Sequence, residues 1–286
     1  LIFFARPKSF PTKIFSDLAR ANLAIFLAKI SRSSFFKSYS RIIIAEFLGK
    51  VFITLAKSVI FLRSVKKMLS RNLLLINEKI KKACKLYRRN VAEVNLIAVS
   101  KIVAAEKIEE AIKCGVKIFG ENYIKEAKEK WQEIRAKNSG IKLHFIGNLQ
   151  SNKAAKAVEL FDCIETLDNE KLALALQKEM QKQQKNPEIF IQINIGEEPQ
   201  KGGIMPQDLK NFTNFCRKNH LNITGLMCIP PLNEAASPYF ALLAKLAKEN
   251  NLKNLSMGMS SDFEEAIALG ATHIRLGTAI FGERKI

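Results

Sequence analysis

Three stretches of the sequence hold residues that could do chemistry together. Lys101 closes the apolar run Ala98-Val99-Ser100-Lys101, so a primary amine stands directly after a β-like segment. A lysine at a strand end is ordinarily a solvated surface charge, but one that is partly desolvated loses its proton more readily and can attack a carbonyl carbon. Far downstream, Ser256-Met257-Gly258-Met259-Ser260-Ser261-Asp262 offers small residues whose backbone N–H groups can approach an anion, ahead of a helical pattern whose N-terminus adds positive potential. Arg275-Leu276-Gly277-Thr278 adds a guanidinium, a glycine and a hydroxyl. Taken singly, Ser261 or Asp262 reads as an ordinary N-cap and Gly277 as a turn glycine. Taken together, a nucleophilic amine and an anion cradle suit a ligand with an aldehyde at one end and a phosphate at the other. Pyridoxal 5′-phosphate has both. Arg275 would then approach its pyridine nitrogen or its phosphate, and a guanidinium beside that nitrogen keeps it unprotonated, a weaker electron sink than a carboxylate partner provides.

These residues need a frame that brings them together. An opening helix is expected from the spacing of Leu74, Ile76, Ile80, Ala83, Cys84 and Tyr87, ending around Asn90. Eight short apolar runs follow as candidate strands: Asn95–Ser100, Lys117–Gly120, Leu143–Gly147, Cys163–Thr166, Ile189–Ile195, Ile223–Ile229, Asn254–Met257 and His273–Leu276. Helical patterns lie between them, among them Ala105–Cys114 with Ile108, Ala111 and Ile112 on one face, and Leu172–Gln184. Strands alternating with helices imply parallel pairing. Eight such repeats in about 200 residues predict one α/β domain, a single (β/α)8 TIM barrel with an extra N-terminal helix, with a doubly wound open sheet as the alternative. In a TIM barrel the site lies at the C-terminal ends of the strands, and the loops after strands seven and eight recurrently bind phosphate. Lys101, the 256–262 stretch and Arg275–Thr278 all fall at such ends. So do Glu121-Asn122-Tyr123 after strand two and Gly147-Asn148-Leu149-Gln150 after strand three. The polar run Asn194–Gly203 after strand five reads as either a plain turn or a lid.

Composition narrows the remaining classes. A formal charge of +19 resembles a nucleic-acid signature until it is divided by region: residues 1–70 hold 13 Lys/Arg against 2 Asp/Glu, leaving only +8 for residues 71–286. That remainder has no basic run interleaved with aromatics, so specific nucleic-acid binding is not expected. Five scattered cysteines form neither a C-x-x-C pair nor an even disulfide framework, which points to a reducing, cytoplasmic setting. His144, His220 and His273 sit at no metal-ligand spacing to each other or to the cysteines, so no metal site is expected and each reads as a packed or surface histidine.

Residues 1–67 form a basic, apolar N-terminal extension distinct from the barrel at 68–286. Its apolar stretch from Arg41 to Arg63 is interrupted by Glu46, Lys50 and Lys57, so a membrane-surface helix is easier than a span, and any membrane contact depends on this segment. Its scarcity of acids also resembles a transit peptide. The leading reading is that these residues are translated upstream of a true start near Met68.

From about residue 70 onward the motifs AVSK (98–101), FGEN (119–122), HFIGNLQSNK (144–153), QKGG (200–203), GLM (225–227), SMGMSSDFEEAI (256–267) and RLGTAIFGER (275–284) together resemble the pyridoxal phosphate homeostasis protein family, single-domain relatives of the alanine racemase barrel. The resemblance implies that Lys101 holds pyridoxal phosphate as a Schiff base, and that Asn122 lies beside the cofactor. It further implies Arg275 near the ring nitrogen and Ser256, Met257, Gly258, Gly277 and Thr278 around the phosphate. It implies a carrier for vitamin B6 and amino-acid homeostasis without fast turnover; pyridoxal phosphate-dependent apoenzymes are the expected partners, and a monomer is expected. Lys125 departs from the family pattern, where glutamine is common, which puts a helix contact in doubt. The alternative is a low-activity amino-acid racemase. Two-base racemisation takes a second acid/base, which alanine racemases draw from a further domain. The sequence ends just past the eighth strand, so that domain is not expected, and of the four tyrosines only Tyr123 is placed near a strand end, with helix packing as its expected role.

Overall fold

The computed structural model describes residues 68–283, and the readings made for residues 1–67 lie outside them. The chain separates into two units, Leu1–Arg63 and Ser64–Ile286, and every described residue belongs to the second. Short runs rich in Ile, Leu and Val become strands buried on both faces, as a parallel sheet covered by helices requires. They are β1 (Asn95–Val99), β2 (Ile118–Glu121), β3 (Lys142–Phe145), β4 (Cys163–Leu167), β5 (Glu188–Ile193), β6 (Ile223–Cys228), β7 (Asn254–Ser256) and β8 (His273–Leu276). Each pairs in parallel with the next. Ala98 of β1 faces Phe119 of β2 on one side and Leu276 of β8 on the other, which closes the barrel in chain order and excludes an open sheet.

The helices are α1 (68–86), α2 (Ala105–Lys113), α3 (Ile124–Lys137), α4 (Ala154–Leu160), α5 (Glu170–Gln183), α6 (Leu209–Lys218), α7 (Ser237–Glu249), α8 (Phe263–Ala268) and α9 (Thr278–Phe281). The additional helix, α1, buries Leu69, Leu73, Ile76, Ile80, Ala83 and Cys84 at three- and four-residue spacing. Leu74 and Tyr87, expected on that face, are instead exposed: Leu74 lies one residue off the stripe, and Tyr87 lies beyond the last helical residue. At its C-terminal end Arg89 holds α1 to the β7–β8 connection through the Ala271 carbonyl, at 2.5 Å. The ends of β1, β3, β5, β6 and β7 come one or two residues earlier than the apolar runs suggest, whereas β2 and β4 each run one residue further. After β5, for example, the Asn194 amide turns the chain by donating to the Glu198 carbonyl at 2.8 Å, although Ile195 is still apolar.

The main core lies between the sheet and its helices, with Trp131 of α3 against Phe119 of β2 at 4.9 Å between ring centroids. A second, small apolar cluster of Cys163, Phe190 and Met227 comes from β4, β5 and β6. Phe190 meets His273 of β8 edge-on at 5.3 Å, a contact between non-adjacent strands that is possible only across the barrel interior.

Candidate functional site

Strand order decides what can meet at the mouth. Around the closed barrel the sequence β7, β8, β1, β2 is consecutive. The residues expected in the site therefore occupy the C-terminal ends of four neighbouring strands: Ser256, Met257 and Gly258 at β7; Arg275, Gly277 and Thr278 at β8; Lys101 after β1; Asn122 after β2. Backbone bonds knit the first two ends together, with the Arg275 N–H donating to the Gly258 carbonyl at 2.9 Å. The Thr278 hydroxyl donates to Ser260 Oγ at 3.3 Å, so the loops after β7 and β8 touch. Asp262 stands at the head of α8, but its carboxylate accepts from the Met259 N–H at 2.5 Å within the loop rather than capping the helix.

The expected residues are not all placed alike. Lys101 is half-buried, in a turn that follows β1. Ser256 and Met257 are fully buried, and the Ser256 hydroxyl points into the barrel. Arg275, 5% exposed, is spent on interior bonds: its two terminal nitrogens donate to Ser256 Oγ at 2.7 Å and to the Cys228 carbonyl at 2.8 Å. Asn122 keeps a buried Oδ1 with no hydrogen-bond partner among the described residues, an acceptor held ready at the mouth. It borders a cleft of about 780 Å³ whose lining includes Lys125, Lys128, Lys153 and Lys156. Tyr123, expected to pack against a helix, is 60% exposed and lines the same cleft.

Beneath the mouth lies a polar relay that sequence spacing did not disclose. Glu165 of β4, wholly buried, lies 2.6 Å from His144 Nδ1 of β3 and accepts from the Ser256 hydroxyl at 2.5 Å. Burial would raise the Glu165 carboxyl, but the hydrogen bond from His144, the His144 ring and the Arg275 guanidinium outweigh it and hold the group below its usual range. His273 beside it is pushed down to about 4, chiefly by burial, so it is neutral at physiological pH. His144, Cys163 and Glu165 bring ligand-type atoms within 4.8 Å of one another, a grouping the linear spacing of these residues hides. Both Glu165 oxygens are already engaged with His144 and Ser256, and burial raises the Cys163 thiol well above its ordinary value. The cluster therefore works as a hydrogen-bonded brace that ties Arg275, through Ser256, to a buried carboxylate.

The alanine racemase N-terminal domain model matches residues 77–285. The pyridoxal phosphate homeostasis protein of Haemophilus influenzae is 38% identical over 227 residues, which is 76% of this chain and 96% of the relative.

The chain belongs to the pyridoxal phosphate homeostasis protein family.

A second member, from Escherichia coli K12, is 36% identical over 228 residues, covering 76% of this chain and 97% of its own length. Among solved structures, PipY of Synechococcus elongatus with pyridoxal phosphate bound is 37% identical, has a TM-score of 0.62, and covers 71% of this chain and 100% of PipY. Alanine racemase of Clostridium difficile, at 13% identity and TM-score 0.59, shares the barrel fold. The matched region in this homeostasis-family chain begins within α1 and runs through all eight strands.

Proposed function

We propose that this protein binds one pyridoxal 5′-phosphate at the barrel mouth, with Lys101 as the amine that holds its aldehyde, and serves as a carrier in vitamin B6 and amino-acid homeostasis. The observation that carries this reading is the convergence of Lys101, Asn122 and the touching β7 and β8 loops on four consecutive strand ends. The residues fit the group. Gly258, with φ +90°, lets the chain turn where any Cβ would lie 2.5 Å from Ala266 Cβ, keeping the backbone of the β7 loop open to an anion. The orphaned Asn122 Oδ1 supplies a directed acceptor near the ring. PipY, a relative of 37% identity, is known with pyridoxal phosphate bound.

When bound, the cofactor supplies an aldehyde that condenses with a primary amine with loss of water, and a ring that withdraws electrons. The chain does the rest. Lys101 presents the amine; the loops carrying Gly258, Ser260, Gly277 and Thr278 surround the phosphate. Arg275 is held in place by Ser256 and the Cys228 carbonyl and would present its guanidinium to the ring nitrogen. A cation there disfavours protonation of the ring, which suits holding and releasing the cofactor better than breaking bonds on it. Receivers would be pyridoxal phosphate-dependent apoenzymes. The five cysteines are free, which supports a reducing, cytoplasmic setting. Among the described residues no helix is long and apolar enough to cross a membrane.

The test is a pair of assays on the full chain loaded with pyridoxal phosphate. Transfer of the cofactor to an added apoenzyme, with no measurable interconversion of D- and L-alanine, is the expected result. Steady racemisation, with the cofactor retained throughout, would replace the carrier reading with the racemase one.

A further inference from the structure

Lys101 sits inside a turn whose geometry its own sequence disfavours. The Val103 N–H donates to the Ser100 carbonyl at 3.1 Å, closing a β-turn over Ser100–Val103 with Lys101 and Ile102 at its centre. Ile102 has φ +58° and is 60% exposed. A positive φ at the third residue of a turn is a glycine or asparagine position, and for a β-branched side chain it is a conformational outlier that persists only where neighbouring groups over-determine it. Exposed Ile102 has little packing to do this, so the restraint must come from elsewhere.

It comes from α3. Glu126 Oε1 accepts from the Ile102 N–H at 2.6 Å, gripping the strained residue itself. Lys130, one helical turn on, donates to the Ser100 carbonyl at 2.7 Å and bridges Glu126 Oε1 at 2.9 Å and Glu121 Oε1 at 2.8 Å. Glu121, fully buried at the end of β2, also accepts from the Ser100 hydroxyl at 2.6 Å and from Trp131 Nε1 at 2.9 Å. The residues immediately before and after Lys101 are thus each held by charged side chains, and the Lys130 side chain is itself only 9% exposed. Hydrogen bonds with an ionised partner are the strong ones, and here the exposed Glu126–Ile102 bond is anchored through Lys130 to the buried Glu121.

We propose that Glu126 and Lys130 are positioning residues that hold the Ser100–Val103 turn in its strained left-handed form and thereby fix the backbone from which Lys101 reaches the cofactor. This rests on the reading of Lys101 as the attachment point. Neither residue need touch the cofactor. Their effect is conformational: without the grip, Ile102 relaxes to an ordinary negative φ and the Lys101 backbone turns away with it.

The experiment is a double-mutant cycle on the full chain, combining Glu126→Ala with Ile102→Gly and reading pyridoxal phosphate affinity from the visible band of the bound cofactor. Glycine adopts positive φ at no steric cost, so it removes the need for the clamp. Glu126→Ala with Ile102 in place is expected to weaken affinity about tenfold, and in the Ile102→Gly background by less than about threefold. Hydrogen exchange at the Ile102 amide of the cofactor-free protein supplies a second readout, and is expected to quicken at least about tenfold in Glu126→Ala. An equal loss of affinity in both backgrounds, or no loss in either, overturns the clamp. Lys101→Ala separates this from the reading beneath it: a covalent band that survives Lys101→Ala sinks the attachment point, whereas a band lost there and unaffected by Glu126→Ala sinks only the clamp.

Discussion

Gly258→Ala is expected to cost this protein more than the same change at another left-handed glycine, because two separable penalties fall on one position. Gly258 has φ +90°, and a Cβ there would lie 2.5 Å from Ala266 Cβ and 3.0 Å from Phe263 Cα, both on α8. The left-handed backbone costs an L-residue about 1–2 kcal/mol, and forcing a methyl into packed surroundings costs about 1–3 kcal/mol more. Gly115 has nearly the same φ, +92°, with nothing within 4 Å of its Cβ, and lies between α2 and β2 at the far end of the barrel from the mouth. Gly115→Ala therefore isolates the backbone penalty. At about 2–4 °C per kcal/mol for a domain of this size, it should lower the melting temperature by about 2–8 °C, and Gly258→Ala by about twice as much. Relief of the Ala266 contact would push α8 and the β7 loop away from Thr278, so cofactor affinity should fall at least about tenfold in Gly258→Ala and stay within about twofold of the parent in Gly115→Ala. Thermal unfolding by circular dichroism and a pyridoxal phosphate titration read the two effects. If both variants melt alike and bind alike, the steric argument and the assignment of the β7 loop to the phosphate are both refuted.

Acidification should unfold the barrel earlier than surface charge would suggest. His273 falls from about 6.5 in the unfolded chain to about 4 when buried, so between these values the unfolded chain binds more protons and stability drops as pH falls, by about 3 kcal/mol in all. Glu165, held below its usual range, adds a loss in the same direction at still lower pH; urea midpoints from pH 7 to pH 4 should trace this slope, and His273→Asn should flatten its upper part. Glu165→Gln preserves shape but leaves buried Arg275 without its nearby carboxylate, and should cost about 3 kcal/mol or more by urea unfolding; an unchanged midpoint would contradict the brace. Of the five cysteines only Cys114 is exposed, so native labelling with a thiol reagent should modify one site quickly, and rapid labelling of two or more would mean that the barrel opens readily.

The outer logic of the site was legible in sequence because a barrel in chain order turns sequence order into spatial order. Once eight βα repeats are counted, the strands that end at Arg275, Lys101 and Asn122 must be neighbours, and they are. His273–Leu276 was even bounded correctly, since a glycine and a polar residue flank it. The inner relay was not foreseen, since Glu165 meets Ser256 across the lumen, 91 positions away and on a non-adjacent strand. A signal did exist: Cys163 and Glu165, and His273 and Arg275, recur at a spacing of two within strands that are otherwise apolar apart from Thr166, which places polar atoms on one inward face. Glu126 and Lys130 gave no such hint, because a Glu–Lys pair four apart reads as an ordinary helix-surface ion pair. A left-handed isoleucine runs against every local preference, and only the tertiary contacts of α3 account for it.

The most direct test of the central claim is to load the full chain with pyridoxal phosphate, reduce it with borohydride, digest it and locate the added mass. The account predicts about one pyridoxyl group per chain, carried by the peptide that contains Lys101 and missing from that peptide after Lys101→Ala. Label spread over Lys125, Lys128, Lys153 and Lys156 of the neighbouring cleft, with Lys101 unmodified, would contradict it.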